Sequence, residues 1–151
     1  MRCITRLTIA FIFAAAAGGA IAHDYHAGDI RITHPWARAT TTEVTAVYLK
    51  IANKGVEADR LLRVMTDIGR AEIHESKTEG GVAKMRHVDA LVIPSKREVS
   101  LQPGGMHIMF MDLKKPLTEG FGIPMTLVFE KAGEVHIDVL VQKAGAKSME
   151  H

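Results

Sequence analysis

Apolar and polar residues alternate with a period of two over much of this chain. Val47, Leu49 and Ile51 are interleaved with Tyr48 and Lys50; Met125, Leu127 and Phe129 with Thr126, Val128 and Glu130; Val135, Ile137, Val139 and Val141 with His136, Asp138 and Leu140. That period belongs to strands with one buried face. Turn signals at Asn53-Lys54-Gly55, Glu79-Gly80-Gly81, Pro103-Gly104-Gly105, Gly120 to Pro124 and Ala132-Gly133 separate the runs. No window offers an amphipathic helix with start and stop signals. The pattern therefore predicts an all-β sandwich of about seven to nine short strands.

The ends of the chain read differently. Residues 1–22 carry Arg2 and Arg6, an apolar run from Leu7 to Ala17, and Ala20-Ile21-Ala22, the three parts of a cleaved secretory signal. The run is shorter than the roughly 20 residues that span a bilayer, so no stable membrane insertion is expected after cleavage. The mature protein is expected to begin at His23 and to be periplasmic. Its 129 residues suit one domain able to fold without disulfides or metal. The organisation predicted is a flexible start at 23–28, a β-sandwich domain at 29–141 and a flexible tail at 142–151.

Removing the signal changes what the composition allows. The only cysteine, Cys3, leaves with it, so no disulfide, thiolate ligand or cysteine nucleophile remains. The mature chain has 17 Lys+Arg against 17 Asp+Glu, so the pI of 8.8 for the whole chain gives no support to nucleic-acid binding.

The candidate chemistry lies in His74, Met85, His107 and Met109, spaced as His-x10-Met-x21-His-x-Met. Thioether sulfur is a soft neutral donor and imidazole is borderline, a combination that suits Cu(I) and has little appeal for Mg, Ca or Mn. Zinc is a weaker candidate, because its usual donors do not include thioether. In the segment Gly105 to Met111, alternation puts Met106, Ile108 and Phe110 on a core face and His107, Met109 and Met111 on the other. A lone Met is more often a core filler and a lone His a satisfied surface residue; the same reading applies singly to His34, His87 and His136. The four together, at fixed gaps, make a more specific signal.

The partner half of the site is expected on a hairpin, Arg70 to Lys77 and Val82 to Val88. A two-residue Glu79-Gly80 loop would set His74 directly across from Met85. A Gly80-Gly81 loop would instead set His74 against His87, and a loop of three to five residues is equally allowed. The residues alone leave the register open, with His87 a neighbouring candidate.

The four-residue spacing resembles the signature of the periplasmic copper chaperone family PCu(A)C. The resemblance covers most of residues 29–141. His34-Pro35-Trp36-Ala37-Arg38-Ala39 is similar to the family's early segment, Val47-Tyr48-Leu49 and Asn53-Lys54-Gly55 to its next strand and turn, and Lys84-Met85-Arg86 and Pro103 to Met109 to its metal motif. Thr40-Thr41-Thr42 departs from the Pro- and Gly-containing turn frequent at that point, which bears on loop geometry and on no ligand. The resemblance implies a cupredoxin-like or immunoglobulin-like Greek-key β-sandwich, not an enzyme, that holds one Cu(I). It also implies delivery to the copper-binding subunit of cytochrome c oxidase, often beside a Sco-type thioredoxin-fold protein, and it favours Met85 over His87 as ligand.

Three rival readings bear on the same residues. A blue-copper electron carrier needs a Cys ligand, and none survives processing. A periplasmic copper buffer or resistance protein would have the same site without a dedicated acceptor. A copper oxygenase would use the amino group and ring of an N-terminal His23, with His26 nearby, but no strongly placed third His is read. His23, His26, Met149 and His151 are also weighed as an accessory Cu(II) site, against the plainer reading of solvated termini. Trp36 is assigned to packing, with copper shielding as a minor role; Arg38 and Tyr48 receive none.

Overall fold

A computed structural model describes residues 24–149, and within them the chain is all strand and turn. The signal segment 1–22 lies outside the described residues. In chain order the strands are β1 Tyr25–Ala27, β2 Ile30–Arg38, β3 Thr45–Asn53, β4 Asp59–Met65, β5 Arg70–Glu79, β6 Val82–His87, β7 Leu91–Ile93, β8 Glu98–Leu101, β9 Met106–Met111, β10 Gly122–Phe129 and β11 Gly133–Gln142. Hydrogen bonding runs β6-β5-β9-β3-β2-β11-β10-β4-β7, with β1 on β2 and β8 on β3. The count exceeds the seven to nine expected because three-residue strands such as β1 and β7 are too short to show alternation.

The alternating runs bury the faces they should. Val47, Leu49 and Ile51 of β3 pack in one cluster with Ile123, Met125, Leu127 and Phe129 of β10 and Val135, Ile137, Val139 and Val141 of β11. The two halves of the hydrogen-bonded path thus close on a shared apolar core, which is what makes a sheet with one apolar face stable.

One irregularity turns Trp36 away from the main core. Between β2 and β3 the register runs Ile32↔Ile51 and Thr33↔Lys50, then shifts to Trp36↔Tyr48 and Ala37↔Val47. One extra residue is accommodated at His34-Pro35, and His34 takes a φ of +54°. Strict alternation from Ile30 and Ile32 would send Trp36 into the core. The bulge inverts the parity, so Ala37 faces the core and Trp36 packs on Tyr48 as a separate buried cluster.

One expected feature, the register that would set His74 across from Met85, is corrected. The β5–β6 turn is Gly80-Gly81, with φ of +58° and +78°, so Ser76 pairs with Met85 and His74 pairs with His87. Both central residues of this tight hairpin need positive φ; a Glu79-Gly80 loop would force Glu79 there at roughly 1–2 kcal/mol. Both ends of the described residues make contacts with the sandwich. Residues 25–27 pair with β2, and the first tail residue, Gln142, still pairs with Arg38. Beyond it, Ala146 is buried against Trp36 and Tyr48 and accepts a 2.9 Å hydrogen bond from Arg38 Nε.

Candidate metal centre

The site is built on the outward face of β3, β9, β5 and β6. His107 pairs directly with His74 across β9 and β5, and His74 with His87 across β5 and β6. On the other side of His107 stands Tyr48, with ring centroids 6.4 Å apart, and Tyr48 packs on Trp36 at 4.7 Å. Five rings therefore run in a row, Trp36, Tyr48, His107, His74 and His87, with the two histidine spacings at 6.0 and 5.9 Å. Met109 lies on the same face as His107, opposite Glu72 of β5 and Ala46 of β3. Met85 lies diagonally from His74, opposite Ser76, on the exposed edge strand β6. Met85, His107 and Met109 line one surface cavity, together with Tyr48 and Ser76. Met111, the third residue on the outward face of β9, points its sulfur at Arg70.

Exposure separates the four expected residues. His107 is only 4 % exposed although it faces away from the core, because Tyr48, His74 and the neighbouring segments enclose it. Met109 is half-buried and Met85 is 53 % exposed. The His74 side chain is 14 % exposed, so His74, His107 and Met109 are held in packed strands and Met85 sits at the rim.

Hydrogen bonding fixes which ring nitrogens are free. His107 Nδ1 donates to the Gly105 carbonyl at 3.1 Å, which leaves the Nε2 lone pair as the donor toward a metal. His74 Nε2 lies 3.0 Å from Glu72 Oε2, so the ring proton belongs on Nε2 and Nδ1 carries the lone pair. That Nδ1 is buried without a hydrogen-bond partner, an arrangement that costs about 1–3 kcal/mol unless something else takes up the lone pair. Burial holds the His107 pKa below the ordinary histidine value, with the Gly105 hydrogen bond opposing and the His74 charge assisting. Glu72 is held below the usual carboxylate range, first by the His74 hydrogen bond, with Arg70 and His87 adding to it against desolvation.

The sequence pattern did not single out Tyr48 or Glu72. Tyr48 breaks the apolar alternation only by being large, and its place beside Trp36 depends on the bulge. Glu72 was legible: it lies two residues before His74 and so shares its face.

Residues 30–141 match the family described as "Putative lipoprotein LpqE-like". A solved structure, the apo PCuAC domain of PmoF2, is 34 % identical with a TM-score of 0.72 over 84 % of this chain and all of that one. The chain belongs to the PCu(A)C family. Its all-β architecture is the cupredoxin-like fold of these domains, as the resemblance implied. The copper-bound PCuAC domain from PmoF2 is 35 % identical at a TM-score of 0.70, over 80 % of this chain and 98 % of that one. A Cu(I) form of DR1885 from Deinococcus radiodurans is 27 % identical at 0.61, over 85 % of each chain. The protein RP573 of Rickettsia prowazekii is 30 % identical over 119 residues, and the match spans 66 % of its length. In this PCu(A)C chain the expected four residues are thus split, with His74, His107 and Met109 on adjoining strands and Met85 on the exposed hairpin arm, lining a cavity with His107 and Met109.

Proposed function

We propose that the protein is a periplasmic copper metallochaperone that holds one Cu(I) through His74 Nδ1, His107 Nε2 and the sulfurs of Met85 and Met109. The observation that carries this is the meeting of two imidazoles, each with one lone pair left unengaged by hydrogen bonding, beside two thioethers on one face. Such a set is soft enough for Cu(I) and needs no deprotonation of a thiol. The copper-bound relatives in the same family support the same cargo.

The geometry suggests how the metal would leave. The two histidines and Met109 are held by paired strands, whereas Met85 is carried by the outermost strand, all six of whose residues are exposed. An acceptor approaching β6 meets Met85 first, so ligand exchange would begin there. The acceptor proposed is the copper-binding subunit of cytochrome c oxidase, with a Sco-type thioredoxin-fold protein as the companion. Transfer from the Cu(I)-loaded protein to an isolated oxidase copper domain tests it. Copper should appear on the acceptor, and loss of the gene should lower oxidase activity at limiting copper. Copper sensitivity with oxidase assembly unimpaired would mean a buffer instead.

A further inference from the structure

The outward face carries a second set of donors beside the proposed Cu(I) ligands. Glu72, His74 and His87 each offer one ligand atom, and the three atoms lie within 4.8 Å of one another. Glu72 Oε2 is 3.0 Å from His74 Nε2 and 3.5 Å from His87 Nδ1. Zinc–nitrogen and zinc–oxygen bonds of about 2.0–2.2 Å set tetrahedral ligand atoms roughly 3.3–3.6 Å apart, so the two Glu72–imidazole spacings need little adjustment and the imidazole pair, within 4.8 Å, would draw together. The outer partners are also in place. Arg70 pairs with Glu72 Oε1 and leaves Oε2 to the imidazoles. Asp89 Oδ1 lies 3.3 Å from His87 Nε2, the carboxylate–imidazole pairing that orients a metal-bound histidine and frees its other nitrogen. His87 is half-exposed, so an ion has an entry path and water could complete the coordination.

We infer that Glu72, His74 and His87 form a divalent-metal site for Zn(II) or Cu(II), distinct from the Cu(I) set and sharing only His74 with it. Carboxylate and imidazole without thioether are harder donors than the His/Met set, and they favour a borderline divalent ion over Cu(I). The Gly80-Gly81 turn creates the site, because its register sets His87 against His74. The inference rests on the proposed Cu(I) reading in one respect, the sharing of His74. The Cu(I) set takes Nδ1 and the divalent set takes Nε2, and a neutral imidazole cannot give both nitrogens to metals while one holds the ring proton. The two ions therefore compete, and the domain would hold either form of cargo but not both.

Zn(II) alone, which has no redox chemistry, is the probe, titrated into the protein by calorimetry. One Zn(II) should bind per chain, with affinity falling about tenfold or more in Glu72→Gln and His87→Ala. Met85→Leu and Met109→Leu should leave it unchanged, and loading with Cu(I) should abolish it. Amide NMR spectra show whether each variant keeps the fold. Failure of the wild type to bind Zn(II), or equal binding by a folded His87→Ala protein, overturns the site and leaves an ion-paired surface cluster. The Cu(I) reading fails separately, on Cu(I) affinity that does not respond to Met85→Leu and Met109→Leu.

Discussion

His74 and His107 face each other directly across β5 and β9, with ring centroids 6.0 Å apart. Direct cross-strand partners are held by the ladder itself, so their spacing is fixed before any metal arrives. Each ring has a further hydrogen bond that fixes its proton, to Gly105 for His107 and to Glu72 for His74. The histidines are thus the preorganised half of the proposed centre, and the methionines are the adaptable half.

That division sets the expected response to substitution. Met85→Leu and Met109→Leu remove a sulfur lone pair while nearly conserving volume, so the apo fold should lose less than about 1.5 kcal/mol. Cu(I) affinity in a chelator competition should fall by about tenfold or more for each. X-ray absorption that shows only nitrogen and oxygen around Cu(I) would remove the methionines from the site.

The hairpin turn can be tested on its own. Gly81 has φ of +78° and nothing within 4 Å of an added Cβ, so Gly81→Val meets backbone strain without a clash. A cost of roughly 1–2 kcal/mol is expected. It should be confined to the arm carrying Met85 and His87, with faster amide exchange in β6 and unchanged protection in β10 and β11.

The apo protein should be cooperatively folded, because the shared core of β3, β10 and β11 involves none of the proposed ligands. Copper then adds stability only as RT ln(1 + [L]/Kd). Circular dichroism of the metal-free protein that lacks a sheet spectrum and a sigmoidal melt would contradict this.

Trp36 is a further check on the tail. It is 5 % exposed and packs with Tyr48 and Ala146, outside the main core. Truncation after Gln142 should expose it, red-shift its fluorescence and destabilise the fold by about 1–3 kcal/mol, the scale of one large side chain returned to water. An unchanged emission maximum would mean that the tail does not cover it.

The long strands and the metal face were legible because both rest on a period of two, which β3, β10 and β11 display over many residues. The spacing of His107 and Met109 could be read for the same reason. What escaped was decided by single residues. The register of β5 and β6 depends on which two residues take positive φ, and Glu79-Gly80 and Gly80-Gly81 are both admissible turn sequences until the strain on Glu79 is weighed. The outward turn of Trp36 depends on one bulge residue at His34-Pro35, invisible to a pattern that counts alternation. Burial of Ala146 on the Trp36–Tyr48 pair likewise rests on one small apolar residue, which carries no periodic signal.

The pH response separates the proposed Cu(I) site from other ligand sets. Thioethers do not titrate, so protons compete with copper only at imidazole, and affinity should lose no more than two protons' worth of slope as pH falls. Burial depresses the His107 pKa, and the sign follows from that direction. In the unfolded chain this histidine takes up its proton near about 6.5, whereas the folded apo protein resists until a lower pH. The unfolded state therefore binds more protons between those two values, and apo stability falls as pH drops through that window. Glu72 behaves as a depressed acid: its contribution is complete above the ordinary carboxylate value and is lost as pH falls through its lower folded value. Denaturant unfolding across pH 8 to 4 should show the His107 part of the decline, and His107→Gln should remove it while leaving the Glu72 part below it. A copper affinity that keeps climbing well above neutral pH would place another ionisable group in the centre, such as the amino terminus expected at His23.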